Sequence, residues 1–312
     1  MLILPRVVML MGPTASGKTA LGVEIAKALD GEVISVDSAL VYRGMDIGTA
    51  KPDLAERQGV KHHLIDILDP SESFSAGQFR EQALGLINEV ASRGKMPILV
   101  GGTMLYFHVL LNGMAKLPDA NAVIRQEIDQ QAASEGWEAV HDHLKKVDPE
   151  AAKRIHPNDT QRIQRALEVF LVSGKSQSDW LLEQAKQPLP FEVFKFAIMP
   201  SNRIELHNKI ALRMDKMIEN GFLDEVRCLF ERGDLTASLP AIRAVGYRQA
   251  WSHLLGEYDE VTFREKAIIA TRQLAKRQFT WLRQQTKTTL LDIAAQRVLE
   301  QVLSEVNKKT MR

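Results

Sequence analysis

Arg6-Val7-Val8-Met9-Leu10-Met11 runs without a break into Gly12-Pro13-Thr14-Ala15-Ser16-Gly17-Lys18-Thr19, and a helical pattern over Lys18–Leu29 follows at once. An apolar run, a glycine-bounded loop and then a helix predict a strand covered on both faces that turns sharply into a helix. The same rhythm recurs at Glu32–Val36, His63–Ile67 and Pro97–Val100, with a further helix over Ala76–Ser92. Strands separated by helices pair in parallel, so an α/β fold is expected.

The loop itself matches G-x-x-x-x-G-K-[ST] between a strand and a helix, the P-loop arrangement. The expected architecture is therefore a P-loop NTPase-like parallel sheet with helices on both faces. Gly12 and Gly17 let the backbone wrap close to phosphate oxygens. The loop amides of Thr14, Ala15 and Ser16 and the helix N-terminus supply positive potential, while Pro13, which has no N–H, only shapes the loop. Lys18 adds a mobile charge, and Thr19 can hold Mg²⁺. A polyphosphate is the expected ligand.

Beyond Leu117-Pro118 the texture becomes helical, with patterns over Val123–Ser134, Gly136–Val147 and Gln161–Val172, the last closed by Gly174 in a C-cap position. Strand character returns at Phe191–Met199, helices follow at Ile204–Asn220 and Leu223–Arg232, and Thr289–Ile293 supplies a last strand. Residues 1–117 are thus read as the first part of the core, 118–190 as an inserted all-helical domain, and 191–312 as the second part of the core with a basic C-terminal helix. The tail Asn307–Arg312 is expected to fray.

Composition narrows the class. At 312 residues, 45% hydrophobic and 25% charged, the chain is an ordinary globular protein able to hide a real core. Its one cysteine, Cys228, excludes a disulfide framework, and the apolar runs fall short of the roughly 20 residues a membrane span needs. A cytoplasmic protein with no membrane association is expected. Without a heptad seam or an apolar docking stripe, a monomer is expected as well. Forty basic residues against 39 acidic give a net charge of +1, so any polyanion partner must be met by a local patch. His62-His63 and His141-x-His143 lack partners at zinc-site spacing, and no structural metal is assigned.

The strand Val33–Val36 ends at Asp37-Ser38, and in an open α/β sheet the carboxyl ends of strands face the ligand crevice. Asp37 is then positioned to bind Mg²⁺ or accept a proton; as a turn residue it would do neither. Pro97–Val100 ends in Gly101-Gly102-Thr103, with no acidic residue of the kind that organises Mg²⁺ in kinases and ATPases. The two glycines suggest close approach of backbone to a ligand, while Thr103 suits either that site or a helix cap.

The second signal is electrostatic. From Lys266 to Leu291 there is no acidic residue, and Lys266, Arg272, Lys276, Arg277, Arg283 and Lys287 are basic. Arg272, Lys276, Phe279 and Arg283 fall on one side of a helix with Trp281 close by, a stripe that fits looped or single-stranded RNA. Arg162 with Arg165, and Arg243 with Arg248 around Ala244-Val245-Gly246-Tyr247, are smaller basic pairs suited to the same polyanion.

Taken together, Gly12–Thr19, Asp37-Ser38-Ala39-Leu40 and the continuation through Pro52, Gly101–Phe107, Ile155–Asp159, Arg243–Arg248 and Lys276–Arg283 resemble the bacterial tRNA dimethylallyltransferase family, also called tRNA isopentenyltransferases. The resemblance implies transfer of a dimethylallyl group from dimethylallyl diphosphate to the exocyclic amine of the adenosine just 3′ of the anticodon. It implies that the P-loop holds the diphosphate leaving group, that Asp37 is the general base, that Thr103 meets the reacting adenosine, that Arg213 clamps the diphosphate, and that Thr19 coordinates Mg²⁺. The tRNA anticodon stem-loop would be met by Asp37, Ser38, Ala39 and Leu40, by Thr103 and Arg125, by Gln161, Arg162, Ile163, Gln164 and Arg165, by Arg243–Arg248, and by Lys276, Arg277, Gln278, Phe279, Thr280, Trp281, Leu282 and Arg283.

Two other classes use parts of this pattern. A small-molecule or nucleoside kinase explains the P-loop but leaves the acid-free helix without a task. A nucleotide-gated RNA-binding module explains the helix but not a carboxylate facing the P-loop.

Overall fold

The computed structural model describes residues 4–183, 189–293 and 297–308. Along the first part of the chain lie β1 (Arg6–Met11), α1 (Lys18–Ala28), β2 (Gly31–Val36), α2 (Leu54–Arg57), β3 (His62–His63), α3 (Ala76–Ser92), β4 (Met96–Gly101) and α4 (Met104–Asn112). Next come α5 (Ala122–Val147), α6 (Pro149–Arg154), α7 (Thr160–Ser173) and α8 (Gln177–Leu182). The last part holds β5 (Glu192–Ile198), α9 (Arg203–Glu219), α10 (Phe222–Glu231), α11 (Tyr247–Leu254), α12 (Glu260–Arg283), β6 (Thr289–Leu291) and α13 (Val298–Lys308).

The strands form one six-stranded sheet in the order β3-β2-β4-β1-β5-β6, every pair parallel. Alternate residues of β1 leave on opposite faces. Val7, Met9 and Met11 join Phe79, Ala83 and Ile87 of α3 and Phe107 and Leu110 of α4. Val8 and Leu10 join Leu21 and Ile25 of α1 and Val298, Val302 and Val306 of α13. Burial on both faces is why the strand reads as a continuous apolar run.

A third cluster packs α9, α10, α11 and α12 around Phe222, Tyr247 and Phe263, and it includes Val41, Tyr42 and Met45 from the segment after β2. This helical layer belongs to the same compact unit as the sheet, which comprises Met1–Leu111 and Leu189–Arg312.

Asn112–Pro188 forms the second unit, so the compact division falls before the Leu117-Pro118 change of texture. Its core is built from Ile128, Val140, Leu144, Ile163 and Leu167. The two helices expected on either side of Ser134 run on as α5, bent where Gly136 leaves helical geometry (φ 84°, ψ 157°). Gly174 closes α7 in the left-handed conformation, as expected.

Two expectations are corrected. The strand expected over His63–Ile67 is only His62–His63, because Leu64 and Asp66 take positive φ and break the extended run. The C-terminal tail was expected to fray from Asn307, yet Asn307 and Lys308 close α13, whose Val298, Val302 and Val306 repeat at four-residue steps into the sheet. The remainder, 309–312, lies outside the described residues.

Candidate active site

Three strands end in one row. Met11 and Val36 both stand opposite Gly101 in register, so the residues that follow each strand emerge side by side at the carboxyl edge of the sheet. Backbone bonds continue beyond the sheet: the Gly12 N–H donates to the Gly101 carbonyl at 3.3 Å, and the Thr103 N–H to the Val36 carbonyl at 3.1 Å. The P-loop, Gly102-Thr103 and Asp37 are adjacent for that reason.

The carboxylate of Asp37 divides its work. Its Oδ1 accepts the Ala39 N–H at 2.9 Å, which closes a local turn. The same carboxylate interacts electrostatically with Lys18 and with Arg213. Burial brings the Lys18 ammonium down to about 8, with Asp37 opposing the shift and Arg213 adding to it. Burial likewise lowers Arg213 from its ordinary value, against Asp37 and Glu56. Two cations are thus held close together beside one carboxylate, which favours an incoming anion.

Lys18 Nζ donates to the Pro13 carbonyl at 3.2 Å, folded back onto its own loop. Arg213 reaches the Thr49 carbonyl at 3.2 Å. Thr49 ends a segment pinned by Glu225, whose carboxylate accepts the N–H groups of Asp46, Ile47 and Gly48 at 2.8, 2.7 and 3.1 Å. Tyr247 donates its hydroxyl to the same carboxylate, and burial raises its pKa far above the ordinary tyrosine range. Sequence reading missed Glu225; beside Asp224 in the first turn of an amphipathic helix, it carries no signal of the loop it holds.

Thr103 does not cap α4 with its side chain. Its carbonyl accepts from the Tyr106 N–H at 3.0 Å, while Oγ1 accepts the Ser38 N–H at 3.1 Å. The glycines before it make room for protein atoms. A Cβ at Gly101 would stand 2.0 Å from the Val36 carbonyl oxygen, and one at Gly102 would stand 2.5 Å from Nε2 of Gln278.

Gln278 accordingly lies inside the protein. Its Oε1 accepts the Thr14 N–H and its Nε2 donates to the Gly102 carbonyl, both at 2.9 Å. Phe279 and Leu282 are buried in the two adjoining cores, and Trp281 is partly buried with its ring edge-on to His108. The expected stripe of Arg272, Lys276, Phe279 and Arg283 is therefore displaced by about one residue. The exposed face of α12 carries Lys276, Arg277, Thr280 and Arg283. A glutamine on the apolar seam between Ala275 and Leu282 was the available sign of a buried hydrogen-bonding role.

The other candidate residues sort the same way. Ser38 is exposed, Ala39 and Leu40 are half-buried, and Arg243 and Arg248 are exposed while Tyr247 is fully buried and Gly246 starts α11. Ala244 and Val245 are half-buried. In the second unit Gln161 and Arg162 are exposed and Ile163 is buried; Gln164 binds Asp129 at 2.7 Å. Arg125 and Arg165 both reach Glu168, which is 0% exposed, at 2.9 and 2.6 Å. Their charge is largely spent inside this unit. The side chains of Ile163, Tyr247, Gln278, Phe279 and Leu282 are closed to an external partner.

For a divalent ion, the described residues hold no group of three or more His, Cys, Asp or Glu side chains suited to a metal. What they offer is hydroxyl oxygen: Thr19 is exposed in the first turn of α1, and Ser16 Oγ is buried in the P-loop with no hydrogen-bond partner. Such a donor set fits a hard cation shared with phosphate oxygens, as Mg²⁺ is commonly held.

A six-stranded parallel sheet with this loop after one of its two middle strands, and two cations and a carboxylate beside it, defines an α/β enzyme fold. The IPP transferase family profile matches residues 40–285. A tRNA dimethylallyltransferase from Methylococcus capsulatus (strain Bath) is 56% identical over 307 residues, covering 98% of each chain. The crystal structure of the full-length tRNA isopentenylpyrophosphate transferase from Bacillus halodurans is 38% identical, with a TM-score of 0.71 over 97% of this chain and 96% of its own. A eukaryotic dimethylallyltransferase acting on tRNA is 29% identical, with a TM-score of 0.77 over 98% of this chain and 77% of its own. The chain belongs to the IPP transferase family. No helix among the described residues is long and apolar enough to cross a membrane.

Proposed function

We propose that this chain is a cytoplasmic, monomeric tRNA dimethylallyltransferase that moves the five-carbon group of dimethylallyl diphosphate onto the exocyclic amine of the adenosine 3′ to the anticodon, releasing diphosphate. The observation that carries this reading is the convergence of Lys18, Asp37 and Arg213 at one edge of the sheet, in a chain whose relatives along nearly its whole length are tRNA dimethylallyltransferases. A kinase reading is not what these relatives support, and it leaves the exposed cations of α12 idle.

The division of labour follows from the chemistry. An adenine amine has its lone pair spread into the ring and attacks carbon only as its proton is drawn off. Asp37 takes that proton, with Oδ1 held by the Ala39 N–H so that the carboxylate keeps one orientation. On the leaving side, charge accumulates on the diphosphate, and Lys18, Arg213 and the P-loop amides oppose it. Thr19 and the buried Ser16 hydroxyl are the groups that would hold Mg²⁺, which supplies further charge neutralisation when bound. Thr103, tied to Ser38, borders the adenosine.

The target base must leave its stack to reach Asp37, so the loop around it needs a grip. Lys276, Arg277, Thr280 and Arg283 provide it from α12, with Arg243 and Arg248 on the same unit. Incubating unmodified tRNA with the protein, Mg²⁺ and dimethylallyl diphosphate should add one five-carbon unit to that adenosine by mass spectrometry. Phosphoryl transfer from labelled ATP in place of prenylation would overturn the reading.

A further inference from the structure

Helix α12 has two opposite duties that meet at Gln278. On its exposed side stand Lys276, Arg277 and Thr280. On its buried side Gln278, 7% exposed, uses both ends of its amide on backbone: Oε1 accepts from Thr14 within the P-loop, and Nε2 donates to Gly102 at the end of β4. Pro13 and Ala15 flank that bonded amide in the loop, and Thr103 follows Gly102. One side chain thus fixes the donor loop and the strand end that carries Thr103, and the Thr14 N–H it occupies is withdrawn from phosphate binding. The fit is close, because a Cβ at position 102 would stand only 2.5 Å from Nε2.

We infer that Gln278 is a positioning residue, holding the P-loop in the shape that binds diphosphate, rather than an RNA contact. This rests on the reading of the P-loop as a diphosphate cradle. A buried amide satisfied on both sides specifies a single arrangement of the groups it joins, and substitutions that break either bond leave a backbone group unpaired. The effect should therefore appear in diphosphate affinity, with tRNA affinity unchanged.

The test is a calorimetric titration of the full chain with Mg²⁺ and inorganic diphosphate, with tRNA affinity and melting temperature measured in parallel. Gln278→Leu, similar in volume, should weaken diphosphate binding by about tenfold to a hundredfold and leave the tRNA Kd as it was. Gln278→Glu provides the discriminating readout. Ionised, the new carboxylate accepts from Thr14 but repels the Gly102 carbonyl; protonated, it donates to that carbonyl and restores both bonds. Its diphosphate affinity, taken as a ratio to the unsubstituted chain, should recover as pH falls through the carboxyl pKa. A side chain that merely fills space gives no such recovery.

Lys18→Ala separates the two levels of argument. If it binds diphosphate normally, the cradle reading falls and the inference with it. If Lys18→Ala is weakened while Gln278→Leu is not, or if Gln278→Glu shows no recovery at low pH, the positioning role alone is overturned.

Discussion

Thr103 Oγ1 accepts the Ser38 N–H at 3.1 Å, which ties the end of β4 to the loop that carries Asp37. The hydroxyl faces the neighbouring strand end and not its own helix. Thr103→Val keeps the shape and removes the acceptor, leaving the Ser38 amide unpaired. The expected outcome is a fall in single-turnover rate of about fivefold with donor affinity intact, since one hydrogen bond of this kind is worth about 1 kcal/mol. Rapid-quench measurements at saturating substrates check it, and Thr103→Ser should behave as the unsubstituted protein.

Asp37→Asn tests the proposed base. Asparagine retains an oxygen to accept the Ala39 N–H, so the turn survives. It cannot take a proton at neutral pH, and single-turnover transfer should slow by about a hundredfold to ten-thousandfold while both substrates still bind. Recovery of the rate by raised Mg²⁺, together with weaker donor binding, would assign Asp37 to the metal instead.

The lowered pKa of Lys18 gives a signed pH dependence. With the folded-state value at about 8 and the ordinary value at 10.5, the unfolded chain holds a proton across that window which the folded chain has released. Stability from this group therefore rises with pH between those values. Diphosphate favours the charged ammonium, so its binding at about pH 9 should take up protons, seen by calorimetry in buffers of different ionisation enthalpy. Lys18→Met should abolish the part of that uptake due to the lysine and weaken diphosphate binding.

On α12 the prediction is a contrast between neighbours. Lys276→Ala, at an exposed position, should reduce the salt slope of tRNA binding by about 0.7 to 0.9. Phe279→Ala, inside the core, should cost about 3–5 kcal/mol of stability with no specific change in slope. Equal slopes for the unsubstituted chain and a combined Lys276, Arg277 and Arg283 variant would make this face a solvated one.

In the inserted unit, Glu168 receives Arg125, Arg165 and the Asn121 N–H, and although its burial alone would raise its pKa, these hydrogen bonds hold it below the ordinary value. Its contribution to stability is complete above the unfolded value of 4.5 and is lost as pH falls through the lower folded value. Glu168→Gln should destabilise this unit by about 1–3 kcal/mol, the range for a broken buried pair reduced because the arginines are partly exposed. Thermal melting at neutral pH and in acid checks both statements.

The main features of the sheet were legible because they rest on local rules. Residues 6–19 carry an apolar run and a motif whose spacing is dictated by the loop they form, and the element boundaries follow to within a residue or two. Asp37 was legible for the same reason, as the residue after a buried strand. The short β3 was not, since positive φ at Leu64 and Asp66 is imposed by packing and leaves no mark in the residue types. Gln278 and Arg125 read as polar surface because their partners, Thr14, Gly102 and Glu168, lie far away in sequence on other elements, and Arg165 does so because the burial of Glu168, three residues on in the same helix, leaves no mark in the residue types. A charge pattern cannot distinguish a cation facing solvent from one already matched inside the fold.

Arg6 donates to the carbonyl of Val306 at 2.6 Å, and β1 lies between β4 and β5, strands on either side of the inserted unit in sequence. During synthesis, then, the first strand waits. The loop after β1 is translated well before β5, which follows only after the inserted unit, and before α13, which completes the cover of its strand. The inserted helices have a core of their own and can condense in the interval. Because long-range parallel pairing closes slowly, truncation before α13 should leave Val8 and Leu10 of β1 without their cover and open to aggregation.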